Sequence, residues 1–523
     1  MKHTKKLLCL LLALVMSLSL SACAGSSSND ANSDATAAVD HDREVVYGSA
    51  SMITNFNMKY ITSANDIQAA DQVYDTLVRK VNGEFRNQLA KSWEISEDGL
   101  TYTFHIQPDA KFSDGTDITA EDVEWSYEYI RDQCDNWSWL YKTLDDVEVI
   151  DTKTVVFHFS TADASRISTM CNAQYGGVFS KAAMQKYGDD YGKTAESVVS
   201  SGPYVITEWK ENEYVKFEAR DDYYGTKPDL THLKYVAIAD VNAAVVALQT
   251  GELDLYFNPL SGVALDTVKA SDNVSITEAL TCRNESVYMN YESEMFSDVR
   301  MRQAVAYAIN KEEALEVCGS GQGQVVIYPC DLGDKVTANP DFVPSHTYEY
   351  NVEKAKALVE ECGNVGKTVT IKSYNTEPYQ TLSVWLQGAL SAIGLDAKVD
   401  TMERSAFLDQ CLNGEVEICP FSWSNSSFDF GAAVGVYMDS KCIGISGNYG
   451  RYNNPKADEL IALGNGTSDI EARKGYYKEL MELYMEDVPS VAMYATINAI
   501  AHSNQLTMED ANLYQMYLVH WAE

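Results

Sequence analysis

The chain has 523 residues, 46% of them hydrophobic, enough apolar material for two to four domains of about 150 residues each. Its 76 acidic residues outnumber 40 basic ones, for a formal net charge of −36. A surface so acidic repels nucleic acid and anionic headgroups, which excludes proteins built around a basic binding face.

At the N-terminus Lys2, Lys5 and Lys6 precede the apolar run LLCLLLALVMSLSL, residues 7–20, and Ser21-Ala22-Cys23 follows. A charged start, a short apolar core and small residues before a break describe an export signal. Ser17 and Ser19 interrupt the run, which is shorter than the roughly 20 residues of a spanning helix, and no later stretch is long and apolar enough to cross a bilayer. Leu20-Ser21-Ala22-Cys23 also resembles the lipobox of bacterial lipoproteins, whose cysteine is lipidated and becomes the first residue. The alternative is an ordinary signal peptide cut near Ala22. Residues 24–42, AGSSSNDANSDATAAVDHD, have almost no large apolar side chains and predict a solvated tether. Loss of residues 1–22 removes three lysines and no acid, taking the charge from −36 to −39.

Strands are expected at VVYGSA (45–50) and LTYTFHI (100–106), then at TVVFHFS (154–160). Between them, KFSDGTDITAEDVE (111–124) gathers acids around a glycine. Aligning Gly115 with the invariant glycine of an EF-hand loop puts Ala110 and Phe112 at the first and third positions, where neither ligates calcium. A helix start explains the stretch better. Thr119 is an N-cap with Asp122 three residues on, Ile118 and Val123 form a hydrophobic staple, and Glu121 and Asp122 face the positive end of the helix dipole.

The second half alternates. Helices are expected at 351–362 and 378–393, stopped by Gly363 and Gly394, and at 404–413. TVTIKS, LDAKVDT and VEICPFSW are expected strands, and a last helix starts at the capping box Ser468-Asp469-Ile470-Glu471 and ends near Pro489. Such alternation predicts a mainly parallel sheet with helical crossovers.

Catalytic and metal motifs fail. The run 363–368 has Glu361 where a phosphate-binding loop needs its first glycine, and the glycines of 319–323 follow a helical stretch rather than a strand. G-x-S-x-G, H-E-x-x-H and histidine pairs at ligand spacing are missing, so no catalytic residue, metal site or cofactor is expected. Nine cysteines remain after Cys9 and Cys23 are set aside, an odd number scattered without C-x-x-C, as small buried hydrophobes would be.

QVYDTLVRK…LAKSWEISEDGLTYTFHIQPDAKFSDGTDITAEDVEWSYEYI (72–130) resembles the diagnostic segment of the extracellular solute-binding proteins, family 5, of bacterial ABC importers, the peptide-, dipeptide-, oligopeptide- and nickel-binding type. Collinear matches follow at SSGPY (200–204), ALQTGELDL (247–255), FSDVRMRQAVAYAINKE (296–312), YNVEKAKALVEECG (350–363) and EDVPSVAMY (486–494). The resemblance spans residues 43–505. It implies an α/β fold, the two-lobed periplasmic-binding-protein clamp of class II with an extra third domain. Residues 43–80, 195–285 and 492–523 would make lobe one, 81–194 the extra domain and 286–491 lobe two, after a signal peptide (1–22) and tether (23–42). The implied work is capture of a small solute or peptide by a monomer and its delivery to an ABC permease with ATPase subunits, at the outer face of the cytoplasmic membrane. A ligand-sensing receptor on the same fold and a secreted hydrolase are the alternatives.

In open α/β sheets ligands bind beyond the carboxyl ends of strands. The expected site wall is therefore Trp423 and the loop behind it, with Ser424, Asn425, Ser426 and Asp429, and Tyr374 and Glu377 at the neighbouring strand end. Dipeptide receptors of the family anchor the ammonium with an aspartate three residues after the tryptophan matching Trp423, and the carboxylate with an arginine before the Pro-Tyr matching Pro378-Tyr379. Here those positions are Ser426 and Glu377, so the ligand is not expected to be a dipeptide held at both termini; a longer peptide, a cationic solute or a sugar stay open. For the anchor, Cys23→Ser is expected to release the protein to the soluble fraction and abolish lipid labelling; unchanged membrane retention would contradict it.

Overall fold

A computed structural model describes residues 40–61, 63–329, 342–424, 429–445 and 447–523, with the backbone alone at 282, 423–424 and 435–436. Two long strands organise it: β12 (Val274–Met289) and β17 (Ser490–Ser503), numbering strands along the chain. They pair antiparallel over almost their full length, from Val274 opposite Ser503 to Tyr288 opposite Ser490.

Around this ribbon runs an 11-stranded sheet. On one side it continues through β11 (Leu255–Tyr256), β1 (Val45–Ser49), β10 (His232–Ala237), β9 (Tyr214–Ala219) and β8 (Tyr204–Lys210). On the other it continues through β16 (Ile418–Ser424), β14 (Thr368–Tyr374) and β15 (Asp396–Met402), while β13 (Gly323–Val325) pairs with β17. The expectation of a mainly parallel sheet fails. Only β14 with β15 and β16, and β1 with β10 and β11, are parallel; the remaining pairs are antiparallel. The ribbon is responsible, since its partners lie some two hundred residues apart and leave no local pattern to read.

The apolar side chains divide into two large cores, one within residues 45–257 and 500–519, the other within 287–495. A smaller third cluster lies under the helices Val241–Thr250 and Gly262–Lys269. β12 enters the second core at Val287 and β17 leaves it after Ala495. A four-stranded antiparallel sheet, β4 (Ala90–Ile95), β5 (Thr101–Ile106), β7 (Thr154–Phe159) and β6 (Leu144–Asp151), carries the helix Ala120–Gln133, and its apolar face merges with the first core.

The acidic stretch before that helix is architecture. The Asp122 carboxylate accepts from the Thr119 amide at 3.0 Å and its hydroxyl at 2.8 Å, while Asp114 accepts from the amide and hydroxyl of Thr116. Ile118 and Val123 are fully buried. The last helix, Ile470–Asp487, is capped one residue later than expected, by Asp469 rather than Ser468, because the Asp469 carboxylate accepts from the amides of both Glu471 and Ala472. Among the described residues no helix is long and apolar enough to cross a membrane. The described cysteines 134, 171, 318, 362, 411, 419 and 442 are thiols.

One buried ion pair joins two helices of the second core. Arg473 donates from Nη1 and Nη2 to the two oxygens of Asp429, at 3.1 and 2.9 Å, from Nε to the Gly464 carbonyl and from Nη2 to the Tyr477 hydroxyl. Gly464 is obligatory there, since a Cβ would stand 2.3 Å from Cε1 of Tyr477. The two charged side chains are 5% and 4% exposed. Removing one partner leaves a charge in a low-dielectric interior, so Asp429→Ala is expected to cost roughly 3–5 kcal/mol in urea unfolding. A loss under about 0.5 kcal/mol, the scale of an exposed pair, would contradict this reading.

Candidate functional site

Burial along β17 marks where the two cores part. Residues 490–495 and 499–502 are buried, and Thr496, Ile497 and Asn498 between them are half-exposed. At the same level β12 is irregular. Leu280 faces Ile497 and Asn284 faces Ala495, so residues 281–283 share the single partner Thr496. A bulge of this kind bends the strand and re-aims its side chains. The Thr281 hydroxyl pins it, pairing with the Thr496 hydroxyl at 2.7 Å and accepting from the Arg283 amide at 3.0 Å.

A cavity of about 470 Å³ opens over the bulge. Pro259, Leu260 and Ser261 line it from the side of the third cluster, which contains Leu260, and Cys318, Gly319, Ser320 and Pro378 from the side of the second core. Thr281, Arg283, Glu285, Tyr494 and Thr496 come from the ribbon itself. Arg283 and Glu285 are its charged lining. Nε of Arg283 donates to Oε1 of Glu285 at 2.8 Å, Nη2 lies 2.7 Å from the same oxygen, and Nη2 also reaches the Tyr379 hydroxyl at 3.3 Å. Burial pushes the Glu285 carboxyl up and the neighbouring guanidinium pulls it back in part; the other oxygen, Oε2, is buried without a hydrogen-bond partner. Burial also pushes the Cys318 thiol up to about 12, aided by the charges of Glu285 and Glu377. The site therefore offers a fixed charge pair, hydroxyls and an apolar rim, which suits binding. Among the described residues no group of three or more His, Cys, Asp or Glu is placed to hold a metal ion.

The residues expected from the sequence fall into three groups. β16 ends at the bulge, its backbone pairing Trp423 with Asn284 and Ser424 with Arg283; Asn425, Ser426 and Cys23 lie outside the described residues. Glu377 is exposed beside the cavity-lining Pro378, its Oε2 accepting from the Thr381 hydroxyl at 2.8 Å. Tyr374 and Asp429 are not brought to this cavity. Tyr374 packs in the second core against Tyr379 and Phe407, with ring centroids 4.3 and 5.1 Å away, and Asp429 is committed to Arg473. The sequence reading missed Arg283 and Glu285. Their signal is a charged pair at spacing two, hence on one face, inside the otherwise strand-like run VSITEALTCRNESVYM.

A second, smaller cavity of about 150 Å³ lies between Trp93, Tyr102 and Ile167 on one side and Asp429, Asn465 and Arg473 on the other. Beside it the Ala164 amide donates to the Asn465 carbonyl at 2.8 Å, so elements of the two cores also meet away from the ribbon.

The pattern of the bacterial extracellular solute-binding proteins, family 5 Middle, matches residues 84–443. The chain is 28% identical over 497 residues to the oligopeptide-binding protein AppA of Bacillus subtilis (strain 168), covering 88% of each chain. It is 24% identical over 497 residues to the dipeptide-binding protein of Escherichia coli (strain K12), covering 88% of this chain and 89% of that one. Its fold superposes on HbpA2 from Haemophilus parasuis with a TM-score of 0.83 at 23% identity, covering 92% of this chain and 100% of the other. For AppA from Bacillus subtilis in complex with a nonapeptide the TM-score is 0.69 at 24% identity, covering 92% and 99%. The fold is the two-lobed one of these proteins, and the two relatives' names specify the binding of an oligopeptide and of a dipeptide. The chain belongs to the bacterial extracellular solute-binding proteins, family 5.

Proposed function

We propose that the protein captures a peptide, or a solute of similar size, in the cavity over the β12 bulge and delivers it to the permease of an ABC importer. The carrying observation is that one cavity is lined on one side by the third cluster and on the other by the second core, and floored by the two strands that run between them. A ligand touches both walls only when the lobes are shut, so its binding energy favours the shut state by the difference in contacts. The bulge and the half-exposed middle of β17 are where the backbone has the least packing to lose on bending.

In this reading lobe one comprises 43–80, 195–285 and 492–523, the extra domain 81–194 and lobe two 286–491; the entry of β12 into the second core at Val287 supports the boundary at 285–286, while on β17 that core runs on to Ala495. Lipid on Cys23 holds the monomer near its permease through the tether 23–42. A single acyl chain binds only marginally, so more than one is needed. Two relatives carry names that specify an oligopeptide and a dipeptide, which supports a peptide ligand. Ser426 weighs against a neutral dipeptide gripped at both termini, because a buried ammonium without its counter-charge costs several kcal/mol, on the order of a thousandfold in affinity.

Protein purified without denaturant is expected to release a bound solute when unfolded, identifiable by mass spectrometry, and that solute added back raises the melting temperature by mass action. Trp423→Ala is expected to weaken its binding more than it lowers the melting temperature of the empty protein; the reverse pattern would make Trp423 a packing residue. In calorimetry, neutral dipeptides are expected to bind worse than micromolar, and micromolar binding would refute the exclusion of ordinary dipeptides.

A further inference from the structure

We propose that Arg283 is the specificity-determining residue of the cleft, anchoring a carboxylate of the captured solute. The proposal rests on the capture reading above and adds the chemical class of group that the site selects.

Arg283 is the one cation among the described residues lining the 470 Å³ cavity. Its side chain is 36% exposed, whereas that of Glu285 is 1% exposed, so the carboxylate sits behind the guanidinium and the guanidinium faces the cavity. Both bonds to the pair's carboxylate converge on one oxygen, Oε1, from Nε and Nη2. Nη1 donates to none of the described residues, whereas Nε and Nη2 are engaged with Glu285 and Tyr379, so the Nη1 end of the guanidinium is open for an acceptor. A carboxylate can accept a charge-assisted bond from that nitrogen.

Position also matters. The guanidinium touches the Tyr379 hydroxyl at 3.3 Å, at the start of the helix Tyr379–Ala392 and two residues from Glu377. Glu377 is exposed and occupied with Thr381, and its charge would repel an acid. The cationic role that position 377 cannot fill is thus available from a different strand, carried to the cleft by the bulge at 281–283.

The counter-charge does not forbid a second acid. Facing Glu285 are Arg283 on its own strand, Tyr494 on β17, Cys318 at the end of the helix Lys311–Cys318 and Tyr379 beyond Arg283; burial keeps the thiol and the Tyr494 phenol in their neutral forms. Glu285 is therefore the one buried negative charge that a ligand carboxylate meets, and its carboxyl is already pushed toward the protonated form.

Two tetrapeptide libraries with uncharged side chains, identical except for a free or an amidated C-terminus, test the proposal. Each is equilibrated with the full chain and the retained peptides are quantified by mass spectrometry. The wild type is expected to retain free acids at least about tenfold over amides, the ratio of one charge-assisted contact. Glu285→Gln keeps or increases that preference. Arg283→Met loses it, and so does Arg283→Met with Glu285→Gln, which leaves no unpaired buried carboxylate and serves as the folding control. Equal retention of acids and amides by the wild type, or a preference surviving in the double variant, overturns the proposal and leaves capture standing. Retention of neither library by the wild type overturns peptide capture itself, and the proposal falls with it.

Discussion

Everything in this molecule hangs on one pairing, that of β12 with β17. Sixteen residues against fourteen make a ribbon long enough to belong to two apolar clusters at once, one end held by the second core and the other by the third cluster. Backbone hydrogen bonds must be satisfied along its whole length, yet side-chain burial need not be continuous. The ribbon can therefore cross the gap between cores as ladder alone, with Thr496–Asn498 half-exposed. A bulge at that point costs few apolar contacts and gives the strand a place to bend.

Two arginine–carboxylate pairs illustrate how the same chemistry serves different ends. Asp429 and Arg473 are both nearly inaccessible, with two oxygens meeting two nitrogens and further bonds to Gly464 and Tyr477. Such a pair locks helices and has no capacity left for a ligand. Glu285 and Arg283 meet through a single carboxylate oxygen, and one partner faces a cavity. The first pair fixes the second core; the second keeps bonding capacity in reserve at the cavity.

Local signals were the legible ones. The Thr119–Asp122 cap, the staple of Ile118 and Val123 and the alternation of strands with helices after residue 350 are all short-range, and the structure contains them. Long-range pairing was not legible. The antiparallel ribbon could not be inferred from β12 or β17 alone, so the sheet looked more parallel than it is. Asp429 looked like a free acid because its partner is 44 residues away, and Tyr374 looked like a wall because its neighbours Tyr379 and Phe407 come from separate helices. Arg283 stands in mid-strand, where a rule about strand ends does not look.

The central claim is that the lobes close about the ribbon on a solute held over the bulge. Small-angle scattering, with and without a saturating amount of the solute released from the natively purified protein, tests it most directly. The account predicts a smaller radius of gyration in the liganded state. An unchanged radius at full occupancy would contradict it.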